Sequence, residues 1–411
     1  MTDATAHGDP DRSFATYAEA ATGAGSPLPF PVCVDGRLLD ANFTGVGHYA
    51  ARLAQTLARH GAPPLRLDAS LPAAGASHVG GKLARYARAA RGGARPVAPL
   101  IYAGGAFAGR LLGRDLYREA YLHFKFRGRL LPLRCPGPAG VMHWTYPLPL
   151  YMEGWRNIYT VHDLIPMERP DLSPVKAGRM ARLLRQIMPQ ADRIIAISDV
   201  VRDQVIARFG CSPDHVTTCH QAVDLDATSP SLTPRRDGHF LFCGSIEPRK
   251  NLVRLANAYR RSGSRRPLLI VGQDGWRSDE VRRAIGEGGG ITFVALQSRE
   301  ALTGLMRAAR ALLFPSLAEG FGLPVAEAMG LGTPVMASDL PALREVAGDA
   351  ALFVDALDEN AMSRAIGALD ADDALCERLA RLGAAKSVAY QSSEYYARLH
   401  RIYSDVGAGL R

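Results

Sequence analysis

Two glutamates, Glu319 and Glu327, flank the run Gly320-Phe321-Gly322-Leu323-Pro324 in the string FPSLAEGFGLPVAEAMGLGTPV. Carboxylates are hydrogen-bond acceptors suited to the hydroxyls of a sugar or a ribose. The glycines let backbone approach a ligand closely. Pro324 fits the first turn of a helix, where its missing N–H would go unused anyway. With Val325 to Met329 continuing that helix, its free N–H groups form an anion site best suited to phosphate. A second set of candidates lies in GSIEPRKN, where Arg249 and Lys250 follow Gly244 and Ser245. Two cations after a glycine turn would offset two phosphate charges, with helix N–H groups adding to them. Cations at a helix start oppose its dipole, so a ligand accounts for them better than the helix does. The third candidate is His162, at the end of the apolar run NIYTV. Ligands sit at that strand edge in open α/β sheets, and an imidazole there could donate or accept near neutral pH.

The elements that must position these groups alternate between strand and helix patterns. Strands are expected at 31–34, 141–144, 157–161, 193–197 and 216–220, then at 240–243, 268–271, 291–294, 311–314 and 334–337. Helical spacing fills the gaps, at 49–60, 175–188, 199–208, 251–260, 299–309 and 393–403. The fold class is therefore α/β, with two Rossmann-like doubly wound domains facing each other across a cleft. The expected division is a mobile tail at 1–28, a first domain at 29–223 and a polar Pro/Ser-rich linker at 224–238. A second domain at 239–390 follows, and a helix at 391–411 crosses back to the first. Ser198 reads as the cap of the helix after it. Gly45-x-Gly47-x-x-Ala50 has the spacing of a dinucleotide fingerprint, but Val34 lies eleven residues before Gly45. The only acidic residue near the end of the next strand is Asp68, so a helix-capping turn competes with a phosphate loop there.

Taken together, EGFGLPVAEAMGLGTPV, VHDLIPMERP, ADRIIAISDVVRDQVIARFG and GSIEPRKN resemble retaining glycosyltransferases of family 4, which have the GT-B fold. The likeness runs from about residue 30 to 405 and is densest between 240 and 355. It implies transfer of a hexose, mannose favoured, from a nucleotide-diphosphate sugar to a lipid-linked glycan in surface polysaccharide synthesis. In that role Glu327 would bind the ribose and Glu319 the donor sugar. The amides of Phe321, Gly322 and Leu323 would contact sugar and phosphate. Arg249 and Lys250 would hold the diphosphate beside Gly244 and Ser245. Gly45 and Gly47 would face the donor at the cleft, and His162 would reach the sugar near the reacting carbon. The family usually needs no metal or cofactor, and GDP-mannose is favoured over a UDP-sugar. The chain departs from the family twice: Ser245 stands where some relatives carry arginine, and HQAVD replaces PNGVD at 220–224. The second change leaves that loop's role open.

A hydrophobic content of 47% and a charged content of 22% describe an ordinary soluble globular chain. Its six cysteines have no C-x-x-C spacing, which argues against zinc and a disulfide framework and for a reducing compartment. No secretory leader and no run of eighteen apolar residues is visible, so a cytoplasmic protein, peripheral at most to the inner face of the plasma membrane, is expected. The net charge is +9, and residues 82–134 hold twelve basic side chains against Asp115 and Glu119. Interleaved aromatics suit this segment to anionic lipid, while a solvated arginine-rich face is the plainer reading. No nucleic-acid module is recognisable. Two other functions are open to test: an NAD-dependent oxidoreductase using Gly45-x-Gly47, and a non-catalytic, membrane-adsorbing scaffold.

Overall fold

A computed structural model describes residues 27–39, 45–70, 79–100, 106–223, 238–286 and 288–410. Residues 1–26 of the expected tail, the loop at 40–44 and residues 224–237 of the expected linker lie outside the described residues.

The first domain is built on an eight-stranded sheet. Its spatial order is Val216–Thr218, Arg193–Ala196, Arg156–Val161, Val141–Trp144, Val32–Asp35, Leu65–Ser70, Gly109–Arg114 and Ala98–Leu100. All pairs are parallel except the last, which is antiparallel. Val32–Asp35, Val141–Trp144 and Phe240–Cys243 are buried at every position, as strands covered by helices on both faces must be. A small sheet of Arg95–Pro96, Leu131–Arg134 and Leu150–Met152 is added below the first. The second domain has six parallel strands in the order Ile291–Val294, Leu268–Val271, Phe240–Cys243, Ala311–Phe314, Val335–Ser338 and Ala351–Val354. That order reverses between Phe240–Cys243 and Ala311–Phe314, and a doubly wound sheet opens a ligand crevice at such a reversal.

Several elements differ from expectation. The helix expected at 49–60 spans Gly45–Arg59, so Gly45 and Gly47 lie in its first turn. The described residues of the stretch 62–100 hold three strands and the helix Val79–Arg91. Its basic face is partly internal. Arg85 is buried in an ion pair with Asp115, while Arg88 and Arg95 both pair with Glu119 at 3.3 and 2.6 Å. Asp115 and Glu119 are few in number but fully used, which a count of charges along the chain does not reveal.

The helix Ser392–Gly407 packs against the helix Gly45–Arg59 and the strand Val141–Trp144 of the first domain. Gly407 makes this possible, because a Cβ there would stand 2.2 Å from the Phe30 ring. From this helix Tyr403 meets His143 Nδ1 at 2.7 Å, and His143 Nε2 meets Thr160 Oγ1 at 2.7 Å. Burial, with His162 nearby, pushes the His143 imidazole down to about 3, so it is neutral. At the crossing itself Val223 N donates to Tyr390 O at 2.7 Å. None of the described helices is long and apolar enough to cross a membrane.

Tyr403→Phe should destabilise the fold by about 1–3 kcal/mol, since it leaves a buried imidazole nitrogen without its partner. Calorimetry should register this as a drop of several degrees in Tm; an unchanged Tm would mean that the bond is not holding the crossing helix.

Candidate active site

Both loops that bear the candidate groups of the second domain leave strands at the reversal point. Gly244 follows Phe240–Cys243 at φ +144, with its carbonyl oxygen where a Cβ on Gly272 would lie only 1.9 Å away. Two backbones therefore pack directly and hold the Gly244-Ser245 turn. The turn Pro248–Lys250 and the loop after Ala311–Phe314 are tied together by Leu317 N to Arg249 O at 2.8 Å. Asn251 adds bonds from Nδ2 to the carbonyls of Pro315 and Ala356, at 3.1 and 2.7 Å.

This bracing brings Arg249, Lys250 and Glu319 together. Lys250 Nζ lies 2.6 Å and Arg249 Nη1 3.1 Å from the same Glu319 oxygen, and Arg249 Nη2 lies 2.6 Å from Glu247. Lys250 also stands over the Phe314 ring at 4.7 Å. Burial opposes ionisation of Glu319, but Lys250 and Arg249 outweigh it and hold its carboxyl down at about 2. Burial and the adjacent guanidinium lower the Lys250 ammonium from its ordinary value, while Glu319 works the other way. The two cations expected to offset phosphate charge are thus already paired with Glu247 and Glu319.

Glu319 opens the turn into the helix Leu323–Gly330, with Pro324 in its first turn. Within the described protein no hydrogen bond uses the N–H of Phe321, Gly322 or Leu323, so three consecutive donors stand ready for an acceptor. The Phe321 ring itself is buried, edge-on to Tyr390 at 5.5 Å, and only its backbone can serve a ligand. Gly322 sits at φ +98, where a side chain would collide with Leu343. Glu327 is buried in the second turn of this helix. One of its oxygens is 2.7 Å from Arg299 Nη1 and 3.1 Å from Nη2 of Arg52, which belongs to the first domain.

In the first domain His162 ends the strand Arg156–Val161. Its Nε2 is 2.8 Å from the Thr145 carbonyl, which can only accept, so Nε2 carries the proton and Nδ1 is the acceptor. The Tyr49 ring stands edge-on at 4.8 Å. Burial pushes the imidazole down to about 4, so it is neutral at physiological pH. Thr145 is fixed in turn by Asp35, whose Oδ2 accepts from Thr145 N at 2.6 Å and from its hydroxyl at 2.7 Å. Burial raises the Asp35 carboxyl to about 6 against those two bonds.

The two domains touch at Gly320. A Cβ there would stand 2.0 Å from the His162 carbonyl oxygen, so only glycine permits this approach. Ser198 caps its helix through Val201 N at 3.2 Å and also donates to Gly320 O at 2.7 Å. Glu345 of the second domain accepts from Asp199 N at 2.7 Å and Val200 N at 3.1 Å, and meets His220 Nε2 at 2.6 Å. His220, the departure from the family pattern, is therefore part of an interdomain bridge. Among the described residues Asp199, His220 and Glu345 hold ligand atoms within 4.8 Å of one another, yet these already serve the helix and each other. The triplet Asp370-Ala371-Asp372 is also engaged, with Arg266 and as a helix cap.

Gly45 and Gly47 do not form the glycine turn between strand and helix that a dinucleotide site needs, since both lie inside the helix Gly45–Arg59. Arg52, Arg299, Asp35 and Thr145 were not singled out by sequence reasoning. Arg299 starts the helix expected at 299–309, and Asp35 follows the first strand at an edge where ligands bind; that position was the available signal.

Two parallel-stranded α/β domains facing across such a cleft define the GT-B class. Sucrose-phosphate synthase from Thermosynechococcus elongatus superposes with a TM-score of 0.68 at 20% identity, over 92% of this chain and 99% of that one. Anabaena Alr3699/HepE in complex with UDP and glucose gives 0.64 at 14% identity, over 92% and 100%. A model of Glycosyltransferase Family 4 matches residues 43–227, and one of Glycosyl transferases group 1 matches residues 237–372. The chain belongs to this family of glycosyltransferases. An Escherichia coli relative, O-antigen chain mannosyltransferase B, is 33% identical over 226 residues, which are 51% of this chain and 59% of that protein's length.

Gly320→Ala should abolish the domain contact and reduce nucleotide binding while leaving the circular dichroism spectrum intact; wild-type affinity would show that the approach is dispensable. The His162 imidazole should show no NMR titration between about pH 7.5 and 5, because its folded value lies near 4. Unfolded His takes its proton nearer 6.5, so this group removes stability as pH falls through the window between. A His162 midpoint near 6.5 would refute that burial argument.

Proposed function

We propose that the protein is a retaining hexosyltransferase that moves a mannosyl group from GDP-mannose to a glycan acceptor carried on a polyprenyl diphosphate. The observation that carries the reading is the crevice at the strand-order reversal. There Arg249, Lys250, Glu319, the free N–H groups of Phe321 to Leu323 and Glu327 converge opposite His162. The mannosyl choice is supported by the likeness to the E. coli O-antigen chain mannosyltransferase B.

In this reading the bond from the anomeric carbon to the phosphate oxygen breaks, and the acceptor hydroxyl takes its place on the same face of the sugar, its proton passing to the departing phosphate oxygen. Negative charge grows on the leaving diphosphate. The N–H groups of Phe321, Gly322 and Leu323 bind its oxygens, and Arg249 and Lys250 turn part of their hydrogen bonding from glutamate to phosphate as that charge grows. These fixed cations stand where a divalent metal would otherwise work, so the reaction needs no metal or other cofactor. Glu319, fully ionised, accepts from the sugar hydroxyls. Glu327 accepts from the ribose, sharing its carboxylate with Arg299 and Arg52. His162 offers Nδ1 to a sugar hydroxyl near the reacting carbon. The Gly244-Ser245 turn lines the diphosphate, and the helix start at Gly45 and Gly47 faces the donor at the cleft. The protein works in the cytoplasm, at the inner face of the membrane, through the basic segment 82–134. Arg85, Arg88 and Arg95 are committed to Asp115 and Glu119, so the contact falls to the remaining cations.

Calorimetric titration with GDP, UDP, ADP and NAD tests the reading. GDP should bind to the wild type and bind more weakly to Glu327→Ala; binding of NAD alone, or of no nucleotide, would overturn it. Lys250→Ala should lower kcat by roughly a hundredfold, the usual loss when one fixed stabiliser of developing charge is removed. Unchanged kcat would remove Lys250 from the mechanism.

A further inference from the structure

A cavity of about 610 Å³ lies in the first domain, lined by residues other than the candidate site residues, between the ends of the helices Val79–Arg91 and Leu116–Arg127 and the small sheet. Arg127 and Arg129 line it, and neither has a hydrogen-bond or ion-pair partner among the described residues. Helix ends often recruit arginines to their last carbonyls, but that need is met here by another residue. Arg95 donates to the carbonyls of Arg88, Gly92 and Gly93 at 2.6, 2.9 and 2.7 Å. Arg127 instead lies along Gly92, where a Cβ would stand 3.2 Å from its Nη2, so glycine leaves the guanidinium room.

The third polar group in the wall is His123, which is 4% exposed. Its Nδ1 is 2.9 Å from the Ala89 carbonyl and must be the donor of that bond. In the neutral ring Nε2 is then an acceptor, and it has no partner among the described residues. Burial lowers the imidazole from its ordinary value, against the bond to Ala89 and the charge of Glu119 and with Arg95 and Arg127 adding to it, which favours the neutral ring. An anion alone would leave that acceptor unsatisfied; a hydroxyl would fill it. At the rim Phe126 is 48% and Tyr86 46% exposed, with ring centroids 5.8 Å apart, so an apolar face adjoins the cations.

We infer that this cavity is a second ligand site, and that it takes a polyol phosphate. Arg127 and Arg129 hold the phosphate, His123 Nε2 accepts a hydroxyl, and the aromatic rim covers the carbon skeleton. The same chemistry is offered by a glycerol-phosphate headgroup in a membrane and by a free sugar or glycerol phosphate. The site shares no residue with the donor cleft, so it fails or stands separately from donor binding, though its arginines belong to the segment 82–134 proposed to meet the membrane.

The full chain should be titrated calorimetrically with glycerol 3-phosphate and with ethyl phosphate, and sedimented with phosphatidylcholine vesicles with and without phosphatidylglycerol. Glycerol 3-phosphate should bind roughly tenfold more tightly than ethyl phosphate, or about 1.4 kcal/mol, if a hydroxyl is read as well as a charge. Binding of the soluble ligand identifies a free metabolite as sufficient; binding only to phosphatidylglycerol vesicles identifies the lipid as the source. Either should be lost in Arg127→Gln/Arg129→Gln, while nucleotide binding and Tm stay at wild-type values. The inference is overturned if neither probe binds, or if ethyl phosphate binds as tightly as glycerol 3-phosphate. It is equally overturned if the charge-matched variant Arg378→Gln/Arg381→Gln, on exposed positions of the second domain, loses as much binding.

Discussion

Everything in the cleft depends on one absence, that of a side chain at Gly320. The carbonyl of His162 occupies the space a Cβ would need, so the backbone of one domain is the packing surface of the other. Ser198 fixes the register of that contact by donating to the Gly320 carbonyl while capping its own helix. With Gly320 pinned, Glu319 on one side and the free N–H groups of Phe321 to Leu323 on the other are held opposite the His162 ring. Protein interiors are close-packed and transmit such constraints with little slack. A methyl group at this point would displace several groups at once.

The second organising feature is charge neutrality within the crevice. Removing an unpaired ion from water is costly, and a buried charge persists when it is paired and hydrogen-bonded. Arg249 and Lys250 answer to Glu247 and Glu319, and Glu327 answers to Arg52 and Arg299. The crevice therefore waits as a closed set of ion pairs, and a charged ligand enters by exchanging partners. Among the described residues, the uncommitted polar groups include the N–H donors at Phe321 to Leu323 on one side of the cleft and the acceptor Nδ1 of His162 on the other.

How much of this was legible in the chain follows from distance along it. The strings around Glu319, Arg249 and His162 are local, and each joins a strand end to a helix start within about ten residues, through a glycine turn in the first two. The alternation of elements also carried the two-domain α/β class. What was not legible were partners far apart in sequence: Arg52 with Glu327, Asp35 with Thr145, and Glu345 with Asp199 and His220. Only the fold makes these neighbours. The internal pairing within the basic stretch was hidden for the same reason, because Glu119 takes up two arginines from a different helix and strand. Gly45 and Gly47 show the opposite error, a recognisable spacing whose meaning depends on where the helix begins.

The backbone crosses between the domains at a point where Val223, leaving the first, is hydrogen-bonded to Tyr390, returning from the second. Arg398 adds a bond to the His220 carbonyl just beside it. Two crossings clasped at one place act as a hinge pin. Sliding or separating the domains would have to break this clasp as well as the contacts at Gly320, Glu345 and Arg52.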